Sequence, residues 1–187
     1  MRMDVVPRLR GRLGRPFTFV ERTASTQQLL GDAPEGAVVA TDEQTEGRGR
    51  LGRTWQAPAG TSLLFSIVLV PPVAPARMPE LSLVAGAALA EAIESETGLR
   101  ATIKHPNDVL IEGRKVAGIL AEASEGRVVL GVGVNVSQTA AQLPEGVQTP
   151  ATSLSLEGAA VDRVELLAAI LERLEAHYDR WVTSADT

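Results

Sequence analysis

The sequence contains no cysteine, only two histidines and 3% aromatic residues, and none of its apolar stretches is long. Without cysteine there is no disulfide, thiol nucleophile, thioester-forming residue, thiolate-held iron–sulfur cluster or cysteine-containing zinc site. His105 and His177 are too few for a histidine-built metal site. Positive charge is also in short supply: 18 Lys plus Arg face 23 Asp plus Glu, a net charge of −5. That balance argues against bulk electrostatic binding of nucleic acid. The longest apolar run, Leu63–Val70 with Ser66 inside it, is strand-sized, whereas a membrane span needs ~18 residues. The start, MRMDVVPRLRGRLGR, has no continuous apolar segment and no small-residue cleavage site. It does not read as a secretory signal, so a cytoplasmic protein without a membrane partner is expected.

The 187 residues, 44% of them hydrophobic, suit one soluble domain that buries roughly 70% of its unfolded surface and needs no covalent staple. Arg2, Arg8, Arg10, Arg12 and Arg15 against the single acid Asp4 make residues 1–15 a basic arm, read as solvated. Gly11, Gly14 and Pro16 interrupt any helix there, which leaves no room for a helix-turn-helix and predicts no DNA-binding domain.

From Phe17 the pattern becomes regular. Phe17–Arg22 and Ala37–Thr41 read as strands, with Ser25-Thr26 opening a short helix closed by Gly31. Leu63–Val70 reads as a central strand, bounded by Gly60 and Pro71-Pro72. Leu81, Val84, Ala85, Ala88 and Ala92 recur at helical spacing between Pro79 and Gly98, a helix whose stripe lies on a sheet. Three strands follow, Val109–Ile111, Lys115–Ala123 and Arg127–Val136, joined by short glycine-containing links that enforce antiparallel pairing. Asp162 with Glu165 forms a capping-box-like start, and Val164, Leu167, Leu171, Leu174, Tyr178 and Trp181 share one face of a last helix. The expected fold is α+β, a largely antiparallel mixed sheet with packed helices over residues 16–187.

Four segments carry candidate chemistry. Gly47-Arg48-Gly49-Arg50-Leu51-Gly52-Arg53-Thr54-Trp55 satisfies G-x-G-x-x-G. The dinucleotide reading needs a helix to begin at the glycines, and Pro58, Gly60 and Pro71-Pro72 follow instead. Alternating glycine and arginine suits a loop that folds over an anion, mobile until its ligand arrives. An exposed arginine-rich turn and a single-strand nucleic-acid contact through Trp55 are the other readings. Lys104-His105-Pro106-Asn107-Asp108 sets an amide and a carboxylate beside two basic groups, though Asn-Asp after proline is also ordinary turn chemistry. In Lys115-Val-Ala-Gly118-Ile119-Leu120, simple alternation puts Lys115 on one face with Ala117 and Ile119, and Gly118 on the other. Its lysine either snorkels or points into a site. Gly131 and Gly133 within Gly131-Val-Gly-Val-Asn135 weaken a strand unless something approaches the backbone closely. No Gly-x-Ser-x-Gly elbow supports a serine hydrolase.

Together with Ser25-Thr26 and Gln44, these segments resemble the catalytic domain of biotin protein ligases, in order from about Phe17 to Asn135. The resemblance implies a class II synthetase-like α+β domain. It also implies a two-step reaction: biotin and ATP give biotinyl-5′-AMP, which a lysine of a biotin carboxyl carrier protein, of acetyl-CoA carboxylase or similar, then captures. Carried over, Ser25, Thr26, Gln27 and Gln44 serve the biotin head, and Gly47, Arg48, Gly49 and Arg50 cover biotin and phosphate. Lys115 lies between carboxylate and α-phosphate, with Arg48 and Arg50 as the other catalytic charges. Gly118 and Ile119 shape the biotin pocket, while Trp55, Asn107 and Asn135 join Arg50 and Lys115 at the nucleotide. Mg²⁺ is expected with ATP, Asp108 being the nearest candidate ligand. The chain departs from the family at Gln27, where asparagine is usual, and at His105, where tryptophan is usual. The C-terminal β-barrel of many members is expected to be absent. A non-enzymatic biotin sensor and a lipoate or octanoate ligase are the alternatives, and a second copy of the chain is a candidate partner.

Overall fold

The computed structural model describes residues 3–184. Seven strands form one sheet: β1 (Phe17–Thr23), β2 (Val38–Gln44), β3 (Ser62–Leu69), β4 (Thr102–Lys104), β5 (Asp108–Ile111), β6 (Arg114–Ser124) and β7 (Arg127–Asn135). Their spatial order is β1-β2-β3-β7-β6-β5-β4. β1 and β2 are parallel and every other neighbouring pair is antiparallel, the mixed sheet expected. The β5–β6 and β6–β7 links are two-residue turns, Glu112-Gly113 and Glu125-Gly126, with all four φ angles positive. Such turns match the twist of the strands they join.

Strand alternation divides the sheet into two faces. On one, Val38, Ala40, Leu63, Phe65, Ile67, Leu130, Val132 and Val134 join the main core with helices α1 (Leu81–Thr97) and α2 (Arg163–Thr183). α1 packs against α2 as well as the sheet, which explains why its buried positions (Leu81, Ala85, Gly86, Ala88, Leu89, Ala90, Ala92, Ile93) exceed one stripe. On the other face, Val39 and Val68 pack with Leu30 and Ala37 beneath a 3-10 turn, Thr26–Leu30. β3 is buried along its whole length because both faces are covered. No helix among the described residues is long and apolar enough to cross a membrane.

Asp162 caps α2, its Oδ1 accepting from the backbone N–H groups of Val164 and Glu165 at 2.8 and 3.1 Å. Glu165 pairs with Arg8 instead of closing a capping box. That pairing belongs to the largest departure from expectation. The basic arm is not solvated along its described length: Met3, Val5 and Leu13 are in the core. Arg8, Arg10 and Arg12 meet Glu165, Glu172 and Asp179 of α2, and the backbone N–H groups of Arg12 and Leu13 donate to Glu175. The compensating acids lie about 160 positions away in sequence, beyond the reach of any local charge count. Arg2 lies outside the described residues. Before β1 the described chain forms a single 3-10 turn, Val6–Arg8, and no helix-turn-helix.

The Arg12–Asp179 contact makes this arm acid-sensitive. The guanidinium hydrogen bond holds the Asp179 carboxyl below its usual range. A carboxyl lowered on folding contributes stability above its unfolded value, ~3.9, and loses that contribution as pH falls through the folded value. Asp179→Asn should therefore flatten the decline in melting temperature below about pH 4 while lowering stability at pH 7 by no more than ~1 kcal/mol, the pair being half exposed. An unchanged acid limb would separate the arm from this contact.

Candidate active site

The open face of the sheet holds a cleft of about 820 Å³. Its floor is bare backbone. Gly118 and Gly133 are direct cross-strand partners on β6 and β7, and the Trp55 ring lies on both: a Cβ at Gly133 would stand 2.8 Å from Cε2, one at Gly118 3.0 Å from Cζ3. Gly131 lies beneath the Gln27 amide in the same way, a Cβ there falling 3.1 Å from Cδ. In this structure the glycines of β7 thus make room for protein side chains. Gly133→Ala should displace the Trp55 ring, with no loss of stability beyond ~1 kcal/mol. Tryptophan fluorescence alongside thermal melting checks both halves. The Trp55 Nε1–H is buried with no hydrogen-bond partner among the described residues, an open donor inside the cleft.

Lys115 reaches the same face as Gly118 because β6 carries a bulge. Leu110 pairs with Lys115 but Val109 with Ala117, so Val116 is the extra residue. The Lys115 side chain ends 3.3 Å from where a Gly118 Cβ would be. Simple alternation placed these two on opposite faces, and the bulge corrects it. Nζ is 2.8 Å from Asp108 Oδ1, at an angle that makes an ion pair and not a hydrogen bond. It also lies 5.6 Å from the centroid of Trp55.

At one end of the cleft Ser25 and Thr26 are buried. Gln44 Oε1 accepts from the backbone N–H of Thr26 at 2.8 Å and from its hydroxyl at 3.1 Å, and the Thr26 and Ser66 hydroxyls are 2.7 Å apart. Gln27 Nε2 donates to the carbonyls of Leu120 and Val129, both at 3.3 Å, tying the 3-10 turn to the sheet. At the other end the Lys104–Asp108 segment turns between β4 and β5. Asn107 Nδ2 donates to the Ile119 carbonyl at 3.0 Å, and its Oδ1 accepts from Arg50 at 3.5 Å. Two expected contacts look different in place. Ile119 reaches the cleft wall, but its side chain belongs to the main core. Asn135 also lines the cleft, yet its amide is engaged at both ends, by the Thr152 carbonyl at 3.0 Å and Gln138 Nε2 at 2.9 Å.

The glycine–arginine segment is a small hairpin over the cleft. The Trp55 N–H donates to the Gly47 carbonyl and Gly49 N–H to Arg53, each at 2.8 Å, with an Arg48–Thr54 bridge between them. A Cβ at Gly47 would lie 2.3 Å from the Trp55 carbonyl oxygen, so glycine is obligatory there. Arg48, Arg50, Arg53, Lys104 and Lys115 line the cleft against one carboxylate, Asp108. A protein of net charge −5 therefore concentrates positive charge where an anion would sit. Ser66 and the segment Pro144–Ala151 complete the lining, the latter through Val147, Gln148 and Thr149. Lys115 N–H donates to the Pro150 carbonyl at 2.7 Å and Lys104 bonds Thr149.

A family model described as the biotin/lipoate A/B protein ligase family matches residues 17–138, the span from β1 to just beyond β7. The chain belongs to this family. Among similar proteins, the biotin–[acetyl-CoA-carboxylase] ligase of Mycobacterium tuberculosis is 42% identical, across 89% of this chain and 65% of that protein. The bifunctional ligase/repressor BirA of Bacillus subtilis is 36% identical, across 94% of this chain and 57% of that protein. The chain thus spans somewhat over half the length of these curated relatives. Among solved structures, the biotin protein ligase of Aquifex aeolicus in complex with biotin and ATP aligns with a TM-score of 0.81 at 33% identity, covering 90% of this chain and 72% of that one. The ligase-family cleft is thus a single space containing the buried hydroxyls, the glycine floor, the lysine and the arginine hairpin.

Proposed function

We propose that the chain is an ATP-dependent biotin–[acetyl-CoA-carboxylase] ligase, which activates biotin as biotinyl-5′-AMP and delivers it to a lysine of a biotin carboxyl carrier protein. The observation that carries this reading is the union, in one 820 Å³ cleft, of a buried polar recess and a cationic end. Ser25, Thr26 and Gln44 suit the ureido head of biotin, with hydroxyl and amide groups able to donate and accept. Gln27 holds the recess to the sheet. The backbone of the glycine–arginine hairpin covers the chain of biotin, with Arg50 as its charge on the carboxylate. Gly118 gives the Lys115 ammonium access to the carboxylate. Trp55, Asn107 and the wall at Asn135 lie on the nucleotide side.

In the first step a biotin carboxylate oxygen attacks the α-phosphorus of ATP and pyrophosphate leaves. Two anions must meet, so fixed positive charge is the main requirement. Lys115 and Arg50 meet it. Asp108 keeps Lys115 directed into the cleft while leaving ammonium N–H groups free for ligand oxygens. In the second step the carrier lysine, as a neutral amine, attacks the biotinyl carbonyl, AMP leaves with the bonding electron pair, and the amine proton passes to solvent. Neither step calls for an enzyme thiol. Mg²⁺ is expected to accompany ATP, but the donors do not fit a protein-built magnesium cage. No group of three His, Cys, Asp or Glu placed to hold a metal ion occurs among the described residues, and Asp108 is engaged by Lys115. Use of ATP fits a cytoplasmic setting.

Biotin-dependent exchange of labelled pyrophosphate into ATP tests the reading, with lipoate and octanoate as parallel substrates. Exchange with biotin alone supports it. Exchange with lipoate or octanoate transfers the chain to the other branch of the family, and biotin binding without exchange makes it a sensor.

A further inference from the structure

Arg48 does not face the cleft as a free cation. Its two terminal nitrogens donate to the two carboxylate oxygens of Glu122, each at 3.0 Å, a fork-to-fork pair. Glu122 follows Gly118 and Leu120 on the same face of β6, and its cross-strand partner is Val129, whose carbonyl holds Gln27. The pair therefore stands beside the polar recess, at the end of the cleft remote from Asp108 and the Lys104–Asp108 turn.

The hairpin at residues 47–55 is closed by its own backbone bonds, which tie its two arms together. A side chain that fixes position 48 fixes the whole flap. Among the described residues, the other side-chain hydrogen bond from the arginines of this hairpin to the body is the 3.5 Å contact of Arg50 with Asn107. That contact is long and its acceptor neutral, so Arg50 is available to an incoming anion. Arg48 is not, because an anion would have to displace a bidentate carboxylate.

Resting on the ligase reading above, we propose that Glu122 is a positioning residue: it holds the arginine flap over the cleft through Arg48, so that Arg48 anchors the flap while Arg50 and Lys115 carry the charge on the ligand. Glu122 is outside the cleft lining and touches neither substrate. It acts on the fraction of molecules whose flap is in place, which governs how tightly biotin is held and not how fast the bound complex reacts.

Three variants test this: Glu122→Ala, Glu122→Gln and the exchanged pair Arg48→Glu with Glu122→Arg. In the unliganded protein, both single variants should raise hydrogen exchange at amides 46–54. In pyrophosphate exchange they should raise the KM for biotin ~2–5-fold, the scale of a half-exposed ion pair, with kcat within about twofold. The exchanged pair should recover at least half of both losses. The proposal is overturned if Glu122→Ala leaves flap protection and KM unchanged. It is equally overturned if the exchanged pair loses kcat a hundredfold, since Arg48 would then be gripping the reacting anion. If the wild-type chain shows no biotin-dependent exchange, the ligase reading fails by itself, while the amide measurement still decides whether Glu122 holds the flap.

Discussion

On the proposed ligase reaction, Lys115→Ala is expected to lower biotin-dependent pyrophosphate exchange by roughly 10²–10³, the cost of removing one preorganised charge from a reacting centre, while biotin affinity changes only a few-fold. The asymmetry follows from where the ammonium sits. It lies on the bare Gly118 side of β6, directed by Asp108 at 2.8 Å and flanked by Trp55. In the proposed reaction its attraction to the ligand grows as negative charge gathers on the α-phosphate, which favours the transition state over bound biotin. Lys115→Arg should not restore the rate, because a planar fork cannot take the place of a compact ammonium beside Asp108. Isothermal titration with biotin and exchange kinetics separate the two quantities. Equal losses in both would assign Lys115 to binding alone.

Phe65→Ala destabilises the fold by about 3–5 kcal/mol, the range for emptying a buried aromatic site. Phe65 is 1% exposed in the centre of β3, facing the helices, and its neighbours Leu64 and Ser66 face the cleft. The cavity lies between elements that cannot close on it: β2 and β7 hold the strand on both edges, and α1 and α2 cover the face. Denaturant unfolding reads the change directly. A loss under about 1.5 kcal/mol would mean the sheet relaxes around the gap. Phe65→Leu, with less volume removed, should recover most of the loss.

What the sequence revealed and concealed divides by range. Helices α1 and α2, the β6 and β7 hairpins and the central position of β3 follow from local periodicity and turn residues, and each appears within a residue or two of its expected bounds. Most candidate residues also converge on one cleft, because glycine, arginine and lysine interrupt apolar patterns for reasons of their own. The facing of Lys115 was hidden because a bulge shifts every later side chain and leaves no residue-type signature. Residues 144–151 carry no sequence signal of a site, because their use as a cleft wall depends on bonds to Lys104 and Lys115 far upstream. The one signal for Ser66 was a hydroxyl inside an apolar run, explained only by Thr26 across the fold. The pairing of the basic arm has no local signal because its acids lie in α2, about 160 positions later.

β7 occupies the middle of the sheet although it is the last strand synthesised, joining β3 on one side to β6 on the other through eight residue pairs each. Until it is inserted, β1-β2-β3 and β6-β5-β4 are separate ribbons with open inner edges, and such edges template wrong partners. Ser25, Thr26 and Gln44 of the polar recess belong to one ribbon and Lys115 to the other. The complete cleft thus forms only when β7 pairs on both sides. Strand pairing across long sequence separations is in general slow, and unpaired edges expose a chain to aggregation while it waits.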